Sequence, residues 1–235
     1  MLKKYLTSLY GKAMELNDRN VNDALDEFWP FHSLLDVGCW DGEKTLEYAK
    51  SAKAKKVYGI EIVSEKSQEA QKKWIHVMSL IADKDTWPYE DSSLDCVVSN
   101  QVIEHLSDID HFLSEASRVL KTGWYLITST NNLSSWHNIF ALLLWWTPFD
   151  LTNSSKKWIW LWNPLAIHQW EISENGESWT HKTILNTRWM NAWFALFWLQ
   201  AVKHSGAWYY PFSPRIGKWF PRHSAFITLV NKKTY

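Results

Sequence analysis

Apolar positions recur along this chain at helical spacing first, and then in short runs suited to buried strands. Leu2, Leu6 and Leu9, then Val21, Leu25 and Phe28, predict a helical N-terminal extension over residues 1–32, closed by Trp29-Pro30. Ser33–Val37 reads as a first strand, and a helix follows from about Asp41, its expected N-cap, to Ala52. Residues 57–62 predict a second strand, and Ser64 is placed to cap a helix running to about Lys73. Ile75–Ala82 predicts a third strand and Ser93–Asn100 a fourth, the latter apolar enough for a central parallel position. A helix over about Asp108–Leu120 leads into a fifth strand at Tyr125–Thr130. Strands alternating with helices at this spacing define an α/β, doubly wound parallel sheet.

The pattern then changes. Residues 131–186 hold an apolar helix-like piece (Ser135–Trp146), a polar break at Thr152–Lys157, the cluster Trp158–Trp162 and a loop with Asn175-Gly176. Thr187 is expected to cap a strongly apolar helix, Arg188–His204, ended by Gly206 and buried between sheet and insertion. Ala207–Phe212 and Ala225–Val230 read as the last strands, joined across Pro211–Pro221. A single domain is expected: extension 1–32, core 33–130, insertion 131–186, and final helix and strands 187–235.

The chemistry concentrates at Leu34–Thr45, where a strand passes the acid Asp36, bends through Gly38 and Gly42 and enters a helix. Open α/β sheets bind nucleotide-like ligands at such turns, because glycine lets the backbone approach closely. A dinucleotide fingerprint would need glycine at positions 40 and 43, where Trp and Glu stand. Glu61, 19 residues beyond Gly42, ends the second strand where an acid receives ribose hydroxyls in nucleotide-binding folds.

The pattern Asp36-x-Gly38-x-Trp40-x-Gly42 resembles the acid-x-G-x-G-x-G motif of class I S-adenosylmethionine (SAM) dependent methyltransferases, departing from it at Trp40. Asp83, Trp87-Pro88-Tyr89, Leu94-Asp95, Glu104-His105-Leu106 and Arg118-Val119-Leu120-Lys121-x-Gly123 follow in order. Together they resemble the small-molecule methyltransferases of ubiquinone and menaquinone biosynthesis, over Leu34–Thr130, or 97 of 235 residues. The resemblance implies a Rossmann-like seven-stranded sheet of order 3-2-1-4-5-7-6 with its last strand antiparallel, and a substrate-covering lid after strand five. It implies SAM as cofactor and methyl transfer to a small-molecule acceptor. Asp36 and the turn Gly38, Cys39, Trp40 and Gly42 would hold the cofactor's amino-acid end. Glu61, followed by Ile62, would take the ribose, Asp83 the adenine amino group with Lys84 contributing backbone, and Asn100 would sit near the methionine moiety. His105 is the first candidate for an acceptor base and His137 the second, with His168 and His181 as further polar positions.

Composition narrows the alternatives. Lys+Arg and Asp+Glu are both 25, so the basic excess of an electrostatic nucleic-acid binder is missing. Two cysteines make neither a disulfide framework nor a zinc site; no metal is expected, and a reducing cytoplasm is the simplest compartment. The polar N-terminus shows no signal peptide, and Ile139–Trp146 is far shorter than the roughly 20 residues of a membrane span. The 18 tryptophans against 8 glycines are anomalous. Tryptophans stand at the glycine positions 40 and 124 of the resemblance, which suggests a redesigned or heavily substituted relative. Two further readings arise: a non-catalytic scaffold whose cofactor site Trp40 impairs, and peripheral membrane contact through the Trp-rich lid. An NAD-dependent oxidoreductase is the enzyme alternative.

Overall fold

In the computed structural model, residues 2–154, 162–166, 180–207 and 219–235 are described. A 27-residue helix α1 (Leu2–Phe28) precedes β1 (Ser33–Val37), α2 (Glu43–Ala52), β2 (Lys56–Ile60), α3 (Ser64–Gln71) and β3 (His76–Met78). Then come β4 (Leu94–Asn100), a 3-10 turn at Ile103–His105, α4 (Ile109–Val119), β5 (Leu120–Asn131) and α5 (Trp136–Leu143). The chain closes with α6 (Thr187–Leu196), β6 (Leu199–Ala207) and β7 (Phe226–Lys233). The sheet order is β3-β2-β1-β4-β5-β7-β6. β1 through β5 pair in parallel, and β7 runs antiparallel between β5 and β6. The expected Rossmann-like order is therefore the observed one.

β1 is buried along its whole length, as a central parallel strand must be. Its alternate residues feed two layers. Leu35 and Val37 pack with Phe112, Leu113 and Ala116 of α4 and with Met190 and Phe194 of α6. Leu34 packs on the other face, with Val21, Ala24 and Leu25 of α1 and Tyr48 and Ala52 of α2. The first half of α1 continues along that face, where Leu6, Ala13 and Leu16 meet Ala207 and Phe226.

The expected boundaries shift in several places, five of them for a clear local reason. The cap of α2 is Gly42, at φ 83; this left-handed turn lets the Asp41 carboxylate accept from the Glu43 amide at 3.1 Å. The cap of α3 is Val63, whose amide donates to Glu61, so Ser64 is the first helical residue. β3 covers three residues, because its partner β2 ends at Ile60 and the chain then turns through Ile81–Asp85. α5 stops at Leu143, and Trp145 beyond it has φ 60. The expected helix Arg188–His204 ends at Leu196: Trp198 adopts φ 63, which breaks it, and residues 199–207 become β6.

α6 is capped by Asn186, which accepts from the Trp189 amide, rather than by Thr187. It is not buried on all sides, since Trp189 and Leu196 are exposed. The expected strand at Ala207–Phe212, the Pro211–Pro221 connection, Trp158, Trp160, His168 and Asn175-Gly176 lie wholly or largely outside the described residues. No helix among the described residues is long and apolar enough to cross a membrane.

Candidate active site

Parallel strands bring their C-terminal ends to one edge, and that edge gathers the predicted polar residues. After Val37 the chain turns with Gly38 at φ 80, and the Gly38 and Cys39 amides donate to the Ile60 carbonyl at 2.8 and 3.1 Å. A Cβ on Gly38 would lie 2.5 Å from Val102 Cγ2, and one on Gly42 2.5 Å from Ile75 Cδ1. Glycine is required at both positions.

Glu61 fastens this turn. Its Oε2 accepts from the Trp40 amide and its Oε1 from the Val63 amide, each at 2.8 Å. Each carboxylate oxygen keeps a second lone pair for a ligand hydroxyl. Asp36 lies beside it, fully buried, with Oδ2 accepting from the Thr45 hydroxyl at 2.6 Å. Burial pushes its carboxyl up to about 7, against the Thr45 hydrogen bond that lowers it; Glu61 raises it further and Lys44 opposes. Asp83 Oδ2 accepts from the Ser107 and Asp108 amides at 2.5 and 3.2 Å, tying the loop after β3 to the start of α4.

The remaining predicted residues behave less uniformly. Cys39 is buried among Ala70, Ile75 and Val77, and burial holds its thiol well above the usual range. It packs; only its backbone belongs to the turn. The Lys84 amide donates to the Ile81 carbonyl at 3.0 Å. Ile62 is exposed next to Glu61. Trp40 holds φ 49, and its ring centroid lies 5.3 Å from the Lys66 ammonium on α3. The indole therefore stands at the Glu61 end of the turn.

Asn100 is saturated. Its Oδ1 accepts from Asn17 at 2.9 Å, and its Nδ2 donates to Asp18 at 2.9 Å and to Tyr48 Oη at 2.7 Å. Asn17 also accepts from the Ser129 hydroxyl, and Asp18 pairs with Lys44 at 2.8 Å. The N-terminal helix is thus latched across the ends of β4 and β5, more than a plain packing helix. Asn17 and Asn20 were the available signal: both are buried polar residues in the apolar phase of α1.

His105 is largely buried, its Nδ1 3.2 Å from the Thr180 carbonyl and its ring 4.9 Å from that of His181. Burial, and then His181, lower it to about 4. It is neutral at pH 7 and a weak base, so its expected role as acceptor base is not carried forward. His137 is 2% exposed, packs on Phe149 and lies 3.2 Å from the Ser135 hydroxyl. Its Nε2 also lies 3.6 Å from Asp150 Oδ2, which places the candidate base beside a hydroxyl and a carboxylate inside the insertion. Sequence alone gives Glu104 and His181 no definite role. Glu104 is 1% exposed and burial pushes it up to about 7, while His181 is brought against His105.

A buried acid beside a glycine turn, a carboxylate at the end of β2 and another after β3 together make an α/β nucleotide-type site. The donor set fits SAM: an acid for its ammonium, a second for its ribose hydroxyls, and a third near the position of the base. Residues 35–128 match the family model described as a methyltransferase domain. Over these residues, fewer than half of its length, the chain is similar to SAM-dependent methyltransferases.

The chain is 34% identical over 109 residues to an uncharacterized 37.1 kDa protein in transposon TN4556 of Streptomyces fradiae, covering 45% of this chain and 31% of that protein. It is 26% identical over 143 residues to the ubiquinone biosynthesis O-methyltransferase of Pelagibacter ubique, covering 59% of this chain and 53% of that one. The chain thus spans about a third to a half of these curated relatives. The crystal structure of a SAM-dependent methyltransferase from Thermotoga maritima superposes with TM-score 0.60 at 15% identity, covering 100% of both chains. That likeness is one of fold.

Asp36 generates a pH prediction with a definite sign. Its folded value, about 7, lies above the unfolded 3.8, so native chains keep a proton that unfolded chains lose in between. Its stabilising contribution is complete below 3.8 and is lost as pH rises through about 7. Relative to Asp36→Asn, wild-type stability should therefore fall between pH 4 and pH 7 by on the order of 4 kcal/mol. Paired urea titrations across this range check it, and parallel pH curves for the two proteins contradict it.

Proposed function

We propose that this chain transfers a methyl group from SAM to a small-molecule acceptor. The observation that carries the reading is the Glu61 clamp, one carboxylate pinning the glycine turn through Trp40 and Val63 while retaining lone pairs. When bound, the cofactor supplies an electrophilic methyl on a sulfonium, so the protein's task is positioning in a dry crevice. Asp36 would hold the ammonium, Glu61 the ribose hydroxyls and the loop at Asp83 the base. The Asn17–Asp18 latch on Asn100 excludes water from the methionine end. The relatives named as O-methyltransferases support an oxygen acceptor on a small molecule. The NAD reading has no matching glycine, since Glu43 starts α2.

Titration calorimetry with SAM, S-adenosylhomocysteine and NAD tests the cofactor. Binding of the first two is expected, and binding of NAD alone contradicts the reading. The Trp40 indole stands beside the carboxylate assigned to the ribose, so Trp40→Gly should clear space there and tighten SAM by about tenfold. Tight wild-type binding that the substitution leaves unchanged would remove the case for an impaired scaffold.

A second reading concerns the surface of the insertion. Phe140, Leu142, Leu143 and Leu144 are all exposed, and α5 carries no charge. We infer contact with a lipid surface, made by apolar insertion rather than by charge. The chain should co-sediment with neutral phosphatidylcholine vesicles at both low and high salt. Leu143→Glu should abolish this, and a variant that sediments like wild type would contradict it.

A further inference from the structure

We propose that Glu104, His105 and His181 bind a single divalent transition-metal cation of the zinc type. One ligand atom from each lies within 4.8 Å of the others. Glu104 is 1% exposed; its Oε2 accepts from the Thr130 hydroxyl at 2.9 Å, and its Oε1 has no hydrogen-bond partner among the described residues. A buried carboxylate oxygen left unpartnered is unfavourable and calls for a ligand.

The surroundings orient the donors. The Thr180 carbonyl lies 3.2 Å from His105 Nδ1, which makes that nitrogen the protonated one and turns Nε2 into a lone-pair donor. His181 Nδ1 lies against the Asp150 carbonyl and, at 3.5 Å, the Asn131 side-chain amide, which fix the orientation of its ring. The segment carrying His181 is tied to the 3-10 turn by the Lys182 and Thr183 amides, which donate to the Glu104 carbonyl at 2.7 and 3.2 Å. Two imidazoles and one carboxylate form the donor set of open zinc sites, with positions left for water or an acceptor oxygen.

The site does not depend on methyl transfer, and its test reads metal rather than turnover. Chelator-treated chain is titrated with Zn2+ by calorimetry, with Mg2+ as the control. One Zn2+ per chain and no Mg2+ of comparable affinity are expected. His181→Ala should raise the Zn2+ Kd by about tenfold or more, and Glu104→Gln should do likewise. If Glu104→Gln fails to fold by circular dichroism, His181→Ala decides alone. No Zn2+ uptake by folded wild type overturns the site, and so does uptake that His181→Ala retains undiminished.

A separate observation concerns the tryptophans. Trp40, Trp74, Trp145, Trp162 and Trp198 hold φ values of 49, 65, 60, 42 and 63, the region that glycine alone adopts freely. They are 36–94% exposed. By contrast Trp87 is buried against Phe112, its indole N–H donating to the Ala82 carbonyl at 3.0 Å. We infer that the five are glycine sites of the fold, and that the source organism reads as glycine a codon that another genetic code assigns to tryptophan. That would explain 18 tryptophans beside 8 glycines.

Peptide mass spectrometry of the chain from its source organism should find glycine at 40, 74, 145, 162 and 198. Tryptophan at these five positions overturns the inference. A recombinant chain with the five changed to Gly should melt roughly 5 °C higher than the unchanged one, and Trp87→Gly should melt lower. A lower midpoint for the fivefold variant also counts against it.

Discussion

Acids buried along one edge of a parallel sheet are the constraint on which the site depends. Asp36, Glu61, Asp83 and Glu104 are each at most 6% exposed. A carboxylate out of water must be matched by donors or give up its charge. Glu61 and Asp83 each receive two backbone amides, and these bonds hold the glycine turn and the start of α4 in place. Asp36 and Glu104 receive one side-chain hydroxyl each, and burial pushes both up to about 7. The first two acids thus shape the crevice. The other two are under-satisfied within the described residues, and that is the condition under which a cationic ligand is drawn in.

This division explains how much was legible. The order of the sheet was implied by the family resemblance, whereas β1 and the placing of Asp36, Gly38 and Glu61 follow from local runs of apolar residues and from turns requiring glycine. Such signals reside within a dozen residues. The division between α6 and β6 was not legible, because Trp193, Phe194, Phe197 and Trp198 continue a helical apolar phase past the true end. The break is made by a tryptophan in a backbone conformation that its side chain disfavours, and no propensity rule reports that.

The Glu104–His105–His181 cluster was hidden for a different reason. His105 and His181 are 76 positions apart in the chain, and the amides of Lys182 and Thr183 on the Glu104 carbonyl bring them together. His137, by contrast, finds its partners close by in sequence, packing on Phe149 with Ser135 and Asp150 beside its Nε2.

The N-terminal helix links the fold to access. Its apolar side is interrupted by Asn17 and Asn20, both buried, and that interruption weakens the helix as a packing element. What compensates is a network through Asn17, Asp18, Lys44, Tyr48, Asn100 and Ser129, spanning α1, α2, β4 and β5. Polar networks in low dielectric are favourable only when every member is satisfied, so the latch holds as a unit or releases as a unit. α1 is held both by this network and by the buried apolar contacts of Leu6, Ala13, Leu16, Val21, Ala24 and Leu25, so burial supplies the adhesion while the hydrogen bonds fix where the helix sits over the ends of β4 and β5.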